Sequence, residues 1–160
     1  MARVFIGVGS NQGDRLANIS QAIQRLAASP ECQLIQMATI QETTPMGGPP
    51  QGPFLNTVVE LRTSLSPGEL LKRLKQIEQE IGRQPQAQRW GPRPIDLDIL
   101  LYDHHVIREP ELTIPHEQMP MRSFVLEPLA QLAPDFIHPV LGRSVLELLQ
   151  QLAKPPSPPA

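Results

Sequence analysis

The chain lacks the residues that hold small secreted or metal-clustered folds together. Cys32 is its one cysteine in 160 residues, which excludes an internal disulfide and a cysteine-built zinc site. Aromatic residues make up 4% of the chain, with a single Trp90 and a single Tyr102. The basic, aromatic strand pair on which sheet proteins stack RNA bases is therefore missing. Charge of one sign is also lacking. Fourteen Lys and Arg against 16 Asp and Glu leave a net charge of −2, too weak a field to gather nucleic acid or an anionic membrane surface. Any anion has to be held by arginines brought together locally. No apolar run approaches the roughly 18 residues of a membrane span. The opening MARVFIGVGSN has one short apolar run broken by glycines and no cleavage pattern, so it reads as a strand rather than a signal peptide. The expectation is a soluble, cytoplasmic protein. A phosphate loop of the form G-x-x-x-x-G-K-[ST] does not occur, nor does G-x-S-x-G, H-E-x-x-H or an EF-hand loop.

What the chain does have is proline, 19 of them. They gather in PMGGPPQGP (45–53), around 110–120, and in the ending KPPSPPA. The first two clusters stiffen loops that keep a shape around a ligand. The last has no apolar pattern and is expected to be extended and disordered, leaving one domain over 1–153 and a tail over 154–160. Within the domain, RVFIGV (3–8) reads as a buried strand. A helix follows from Arg15 to Ala28, with Leu16, Ile19, Ile23, Leu26 and Ala27 on one stripe. Residues 32–42 have strand character, and FLNTVVELRT (54–63) returns antiparallel after a long loop. Ser66, Pro67 and Glu69 form a capping box with proline at the first helical position. Leu70, Leu71, Leu74, Ile77 and Ile81 give that helix its buried stripe, and Gly82 stops it. IDLDILLY (95–102) is the next strand. Residues 106–107 and 112–114 suggest a small ribbon, a short helix falls near 121–127, and Ser144 with Glu147 opens a last helix to about Leu152. The order β-α-β-β-α-β is the ferredoxin-like arrangement, an α+β fold with an antiparallel sheet and two helices on one face, here followed by a strand pair and C-terminal helices.

The chemistry concentrates in RWGPRPIDLDIL (89–100). Alternation along a strand puts Ile95, Leu97, Ile99 and Leu101 on one face and Asp96 and Asp98 on the other. Two carboxylates about 6 Å apart repel by roughly 3 kcal/mol at an effective dielectric near 20. A divalent cation between them reverses that sign, and Mg²⁺ combines one or two carboxylates with substrate phosphates. A bare Asp-x-Asp also arises as incidental charge on an edge strand. Arg89, Trp90, Arg93 and, further upstream, Arg83 change the odds, because guanidinium forks pair with phosphate oxygens and an indole can wall a base. Arg89 alone also reads as a surface residue, and Trp90 as a core residue. His116 follows a proline-ended strand from which it could donate to a phosphate, and it also fits an ordinary surface histidine. His104, His105 and His138 receive no role. In GVGSNQG the glycines Gly7, Gly9 and Gly13 do not match a dinucleotide fingerprint, and a plain tight turn is the simpler reading.

Seven segments, GSNQGD, ETTPMGG, PFLN, IEQEIGR, RWGPRPIDLDILL, LTIPH and MRSFVLEPL, together resemble the 6-hydroxymethyl-7,8-dihydropterin pyrophosphokinase family. They come in the family's order and spacing over residues 7 to about 129, and R-W-G-P-R-x-x-D-x-D-[IL] is the specific one. The resemblance implies a ferredoxin-like enzyme of folate biosynthesis that transfers the β,γ-diphosphate of ATP to the hydroxymethyl group of the reduced pterin and releases AMP. It implies two Mg²⁺ ions on Asp96 and Asp98, and phosphate contacts from Arg83, Arg93, His116 and Arg122. It also implies a nucleotide site that includes Glu78, Trp90, Ile99 and Thr113. The pterin would stack between Phe54 and Phe124, with Asn56, Thr43, Thr44 and Met46 at its polar edge, as a flat heterocycle with a polar rim requires. A monomer is expected. Pro85 and Glu111 stand where some members carry basic residues, which bears on how many cations close over the triphosphate. Residues 45–53 and 83–92 are the natural lids. Two readings of other classes use the same features: a ferredoxin-like module that senses a small metabolite, which leaves Asp96 and Asp98 unexplained, and a Mg-dependent hydrolase, which would release inorganic phosphate.

Overall fold

The computed structural model describes residues 1–43, 52–82 and 94–153. Along the chain come β1 (Ala2–Ser10), α1 (Arg15–Ala28), β2 (Cys32–Met37), β3 (Gln41–Thr43), β4 (Phe54–Thr63), α2 (Pro67–Ile81) and β5 (Asp96–Tyr102). A ribbon of β6 (Ile107–Glu109) and β7 (Leu112–Ile114), a 3-10 turn at Met119–Met121, α3 (Ser123–Leu132) and α4 (Val145–Ala153) complete it. The sheet runs β2-β4-β1-β5, with β3 also paired to β4, and every pairing is antiparallel. This is the ferredoxin-like order expected from the sequence.

The helix ends follow local chemistry. The Asp14 carboxylate accepts from Ala17 N and caps α1. Ser66 and Glu69 exchange both bonds of the capping box at α2, and Gly82 ends that helix at φ +112°, where a side chain would be strained. The Ser66 amide and hydroxyl hold the Glu69 carboxyl below its ordinary pKa. Ser144 and Glu147 repeat the box at α4.

The two faces of the sheet have separate cores. On one, Ile19, Ala22 and Leu26 of α1 and Leu70, Leu74 and Ile77 of α2 pack on Val4, Ile6, Val59, Leu61, Leu97 and Ile99. On the other, Leu126 and Leu129 of α3 and Val145 and Leu148 of α4 pack on Phe5, Val58, Leu100 and Leu101. The C-terminal helices are therefore a third layer, and the expectation of helices on one face holds for α1 and α2 only.

Three local readings change. The strand expected over 32–42 breaks at 38–40, where Thr39 turns aside to bond Gln131 of α3 through its amide and hydroxyl. The helix expected near 121–127 spans Ser123–Leu132. In β5 the alternation fails at Leu101. Phe5 pairs with Leu101 and Ile6 with Ile99, so Leu100 is an extra residue, and a bulge sends both leucines to the α3/α4 side. Tyr102 returns to the α1/α2 core, where its hydroxyl donates to Leu65 O at 2.7 Å.

Candidate active site

Residues paired across an antiparallel sheet share a face. Register therefore places Thr43 and Phe54, Gln41 and Asn56, Gly9 and Asp96, and Gly7 and Asp98 on the side that carries Phe5 and Val58. Helices α3 and α4 cover the Phe5–Val58–Leu101 part of this face. The other part carries half-buried Thr43, Phe54, Asn56, Asp96 and Asp98. One sheet face thus has an apolar covered end and a polar end.

Leu97 and Ile99 anchor β5 in the α1/α2 core, while Asp96 and Asp98 alternate onto the polar end. Glu78 of α2 is 5% exposed, and its Oε2 accepts from Leu97 N at 2.8 Å. A carboxylate from the helix layer thereby fixes the backbone between the two aspartates. Ile99 is 5% exposed with its side chain in the core, so the surface it offers toward the aspartate side is backbone. Thr113 is exposed on β7.

The β5 bulge also sets His116. The carbonyl of Leu100 accepts from His116 N at 2.9 Å, after a cis Ile114–Pro115 bond. His116 Nδ1 accepts from Gln118 N at 3.3 Å, so the neutral ring carries its proton on Nε2. Burial lowers the pKa of His116 below its ordinary value. Arg122 lowers it further, while Asp96 and Glu117 oppose the shift. The Arg122 guanidinium and the Asp96 carboxylate therefore each stand within electrostatic reach of the imidazole. Arg122 Nη2 donates to Gln118 Oε1, and its guanidinium carbon lies 5.5 Å from the centroid of the Phe124 ring in the first turn of α3. Gln118, which the sequence reading passed over, thus ties His116 to Arg122. Its spacing of two and four residues from them is the signal that could have found it.

Across the sheet, Asn56 Nδ2 donates to Thr43 Oγ1 at 2.5 Å. Gly7 and Gly9, read above as part of a tight turn, lie within β1, and of the three glycines only Gly13 has positive φ, +70°. Arg15 bonds Pro53 O at 2.8 Å and Glu42 at 3.1 Å, and Asn11 bonds Gly52 O. The start of α1 therefore clasps both stems of segment 44–51. Thr44, Met46, Arg83, Arg89, Trp90 and Arg93 lie outside the described residues, as do most of 45–53 and all of 83–92.

No three His, Cys, Asp or Glu side chains converge as a metal cage among the described residues. Two half-buried carboxylates on one strand face nonetheless fit Mg²⁺, which completes its octahedron with water and phosphate oxygens. Fold and site together define a ferredoxin-like α+β domain that gathers two carboxylates, an amide, a hydroxyl and an aromatic ring at the uncovered end of one sheet face.

Residues 5–134 match the family model described as 7,8-dihydro-6-hydroxymethylpterin-pyrophosphokinase. The chain is 43% identical over 147 residues to the 2-amino-4-hydroxy-6-hydroxymethyldihydropteridine pyrophosphokinase of Aquifex aeolicus, covering 92% of this chain and 90% of that one. It is 44% identical over 128 residues to the enzyme of the same name from Bacillus subtilis, covering 80% and 76%. Among solved structures, a Plasmodium falciparum HPPK-DHPS crystal structure superposes with a TM-score of 0.72 at 16% identity, over 94% of this chain and 43% of that one. That likeness is one of fold, and the chain spans less than half of the solved protein. The chain belongs to the 7,8-dihydro-6-hydroxymethylpterin-pyrophosphokinase family.

Proposed function

We propose that the chain transfers the β,γ-diphosphate of ATP to the hydroxymethyl oxygen of 6-hydroxymethyl-7,8-dihydropterin, a step of folate biosynthesis, as a cytoplasmic monomer whose residues 1–153 act as one domain. Family membership gives the reaction class. The observation that supports it in this chain is the placement of Asp96 and Asp98 on the sheet face that also carries Asn56, Thr43 and Phe54.

Asp96 and Asp98 would hold two Mg²⁺ ions. Bound there, the ions would neutralise the phosphates and the charge that grows on the α-phosphate oxygen as AMP leaves. Neutral His116 donates from Nε2 to a phosphate oxygen, and Arg122, Arg83 and Arg93 supply guanidinium forks. Trp90, Thr113, Glu78 and the backbone of Ile99 contact the nucleotide. Phe54 and Phe124 sandwich the pterin, whose polar edge meets Asn56, Thr43, Thr44 and Met46. The hydroxymethyl oxygen attacks the β-phosphorus, the bond from that phosphorus to the α,β-bridging oxygen breaks, and the hydroxyl proton passes to solvent. In-line positioning and fixed charge carry this reaction without a strong general base.

Asp96→Asn and Asp98→Asn test the assignment. Each should lower kcat by about 10²–10³-fold, the scale of losing one preorganised charge contact. Each should also raise the Mg²⁺ concentration needed for half-maximal activity, while pterin binding without metal stays intact. Unchanged Mg²⁺ dependence in both variants would remove the aspartates from the metal site.

A further inference from the structure

We propose that Gly9 is a positioning residue for recognition of the pterin edge: by lacking a side chain it lets Asn56 lay its amide across β1, and with Thr43 it fixes which way that amide faces. The inference rests on the reading of Asn56 as a pterin ligand and names what sets that ligand. A Cβ built on Gly9 would lie 2.8 Å from Asn56 Oδ1, 3.6 Å from Phe54 Cδ1 and 3.7 Å from Leu55 O. The first distance is shorter than real Cβ contacts allow. Gly9 pairs directly with Asn56 in the β1–β4 register, so the amide oxygen occupies the space a side chain at position 9 would fill.

The amide cannot retreat without cost on its far side. Its Nδ2 donates to Thr43 Oγ1 at 2.5 Å, and Thr43 belongs to β3, on the opposite flank of β4 from β1. Asn56 is thus wedged between an empty position on one neighbouring strand and a hydroxyl on the other. The Thr43 hydroxyl accepts from the amide and so keeps its own proton for another acceptor. This leaves Asn56 Oδ1 as acceptor, its second Nδ2 proton as donor and the Thr43 proton as donor. An amino-oxo pyrimidine edge carries both donors and acceptors and can meet that pattern. An alanine at position 9 pushes the far end of one side chain and no backbone, so its effect should appear in pterin recognition rather than in folding.

Gly7 is the internal control. It lies two residues away in the same strand and on the same face, yet the three atoms nearest a Cβ there all belong to the Leu100 side chain, at 3.4–3.6 Å, an ordinary contact. The test compares Gly9→Ala, Gly7→Ala, Asn56→Ala and the double variant Gly9→Ala/Asn56→Ala in the full chain. Binding of 6-hydroxymethylpterin is followed by its fluorescence with a non-hydrolysable Mg-ATP analogue present, alongside the affinity for that analogue and the thermal midpoint. Gly9→Ala should raise the pterin Kd about tenfold and leave the analogue affinity and the midpoint near those of the wild type. Gly7→Ala should bind pterin like the wild type. The double variant should bind no worse than Asn56→Ala, because residues acting through one contact do not add; it also folds if the single clash proves disruptive, since the displaced amide is gone. Wild-type pterin affinity in Gly9→Ala, or a loss that multiplies with that of Asn56→Ala, overturns the proposal. Wild-type pterin affinity in Asn56→Ala overturns the reading of Asn56 as a ligand, and the role of Gly9 with it.

Discussion

Glu78 places a nearly buried carboxylate oxygen 2.8 Å from Leu97 N, between the two aspartates of β5. Because β5 is an edge strand, a backbone donor on its outer side needs a partner from another layer. The carboxylate ties α2 to the backbone between Asp96 and Asp98. Glu78→Ala should strand the Leu97 donor at about 1–3 kcal/mol and raise the Mg²⁺ requirement, whereas Glu78→Gln keeps an acceptor and should lose less of both. Denaturant midpoints and Mg²⁺ titrations of the two variants check this. Equal losses would mean that the hydrogen bond to Leu97 does not set the site. His116 and Asn56 follow the same logic, since each has one polar atom fixed by the protein.

Among the elements, β5 carries the most consequence. One extra residue, Leu100, sends Leu101 to the α3/α4 core, returns Tyr102 to the α1/α2 core and presents the carbonyl that holds His116 N. Packing can test it. Leu101→Ala should cost about 2–5 kcal/mol. In double-mutant cycles it should couple by about 0.5–3 kcal/mol with Leu126→Ala, and be additive with Leu74→Ala across the sheet. Coupling to Leu74 instead would restore the simple alternation. The break between β2 and β3 does similar work at the other edge: it frees Thr39 to bond α3 and lets β3 present Thr43 beside Asn56.

Over the whole molecule, two histidines, His138 buried and His116 half-buried, link stability to pH. Burial lowers the pKa of His138, which is 4% exposed with Nδ1 accepting from Val140 N and Leu141 N. Burial and Arg122 lower that of His116. The unfolded chain therefore binds more protons than the folded one below the ordinary pKa of 6.5. The stability from both neutral rings is complete above that pH and is lost as pH falls beneath it. His138→Asn, which keeps an acceptor without titrating, should flatten part of the slope of unfolding free energy below pH 6.5. An unchanged slope would contradict the assignment.

Much of this architecture was legible in the sequence, because helix caps and apolar periods are local. The Ser66–Glu69 box, Gly82 and the Ser144–Glu147 box mark helix ends within a few residues, and Asp-x-Asp marked the strand proposed to hold metal and phosphate. The features missed depend on partners distant in sequence. The Leu100 bulge appears only against β1, the Thr39 detour only against α3, and the space at Gly9 only against Asn56.

The central claim is diphosphoryl rather than phosphoryl transfer, and the nucleotide product decides it. The chain is incubated with ATP, Mg²⁺ and 6-hydroxymethyl-7,8-dihydropterin, with and without the pterin, and the nucleotides are separated and quantified. AMP formed only with the pterin present, in equal amount to a diphosphorylated pterin, is the predicted result. ADP, inorganic phosphate, or AMP released without the pterin would contradict it.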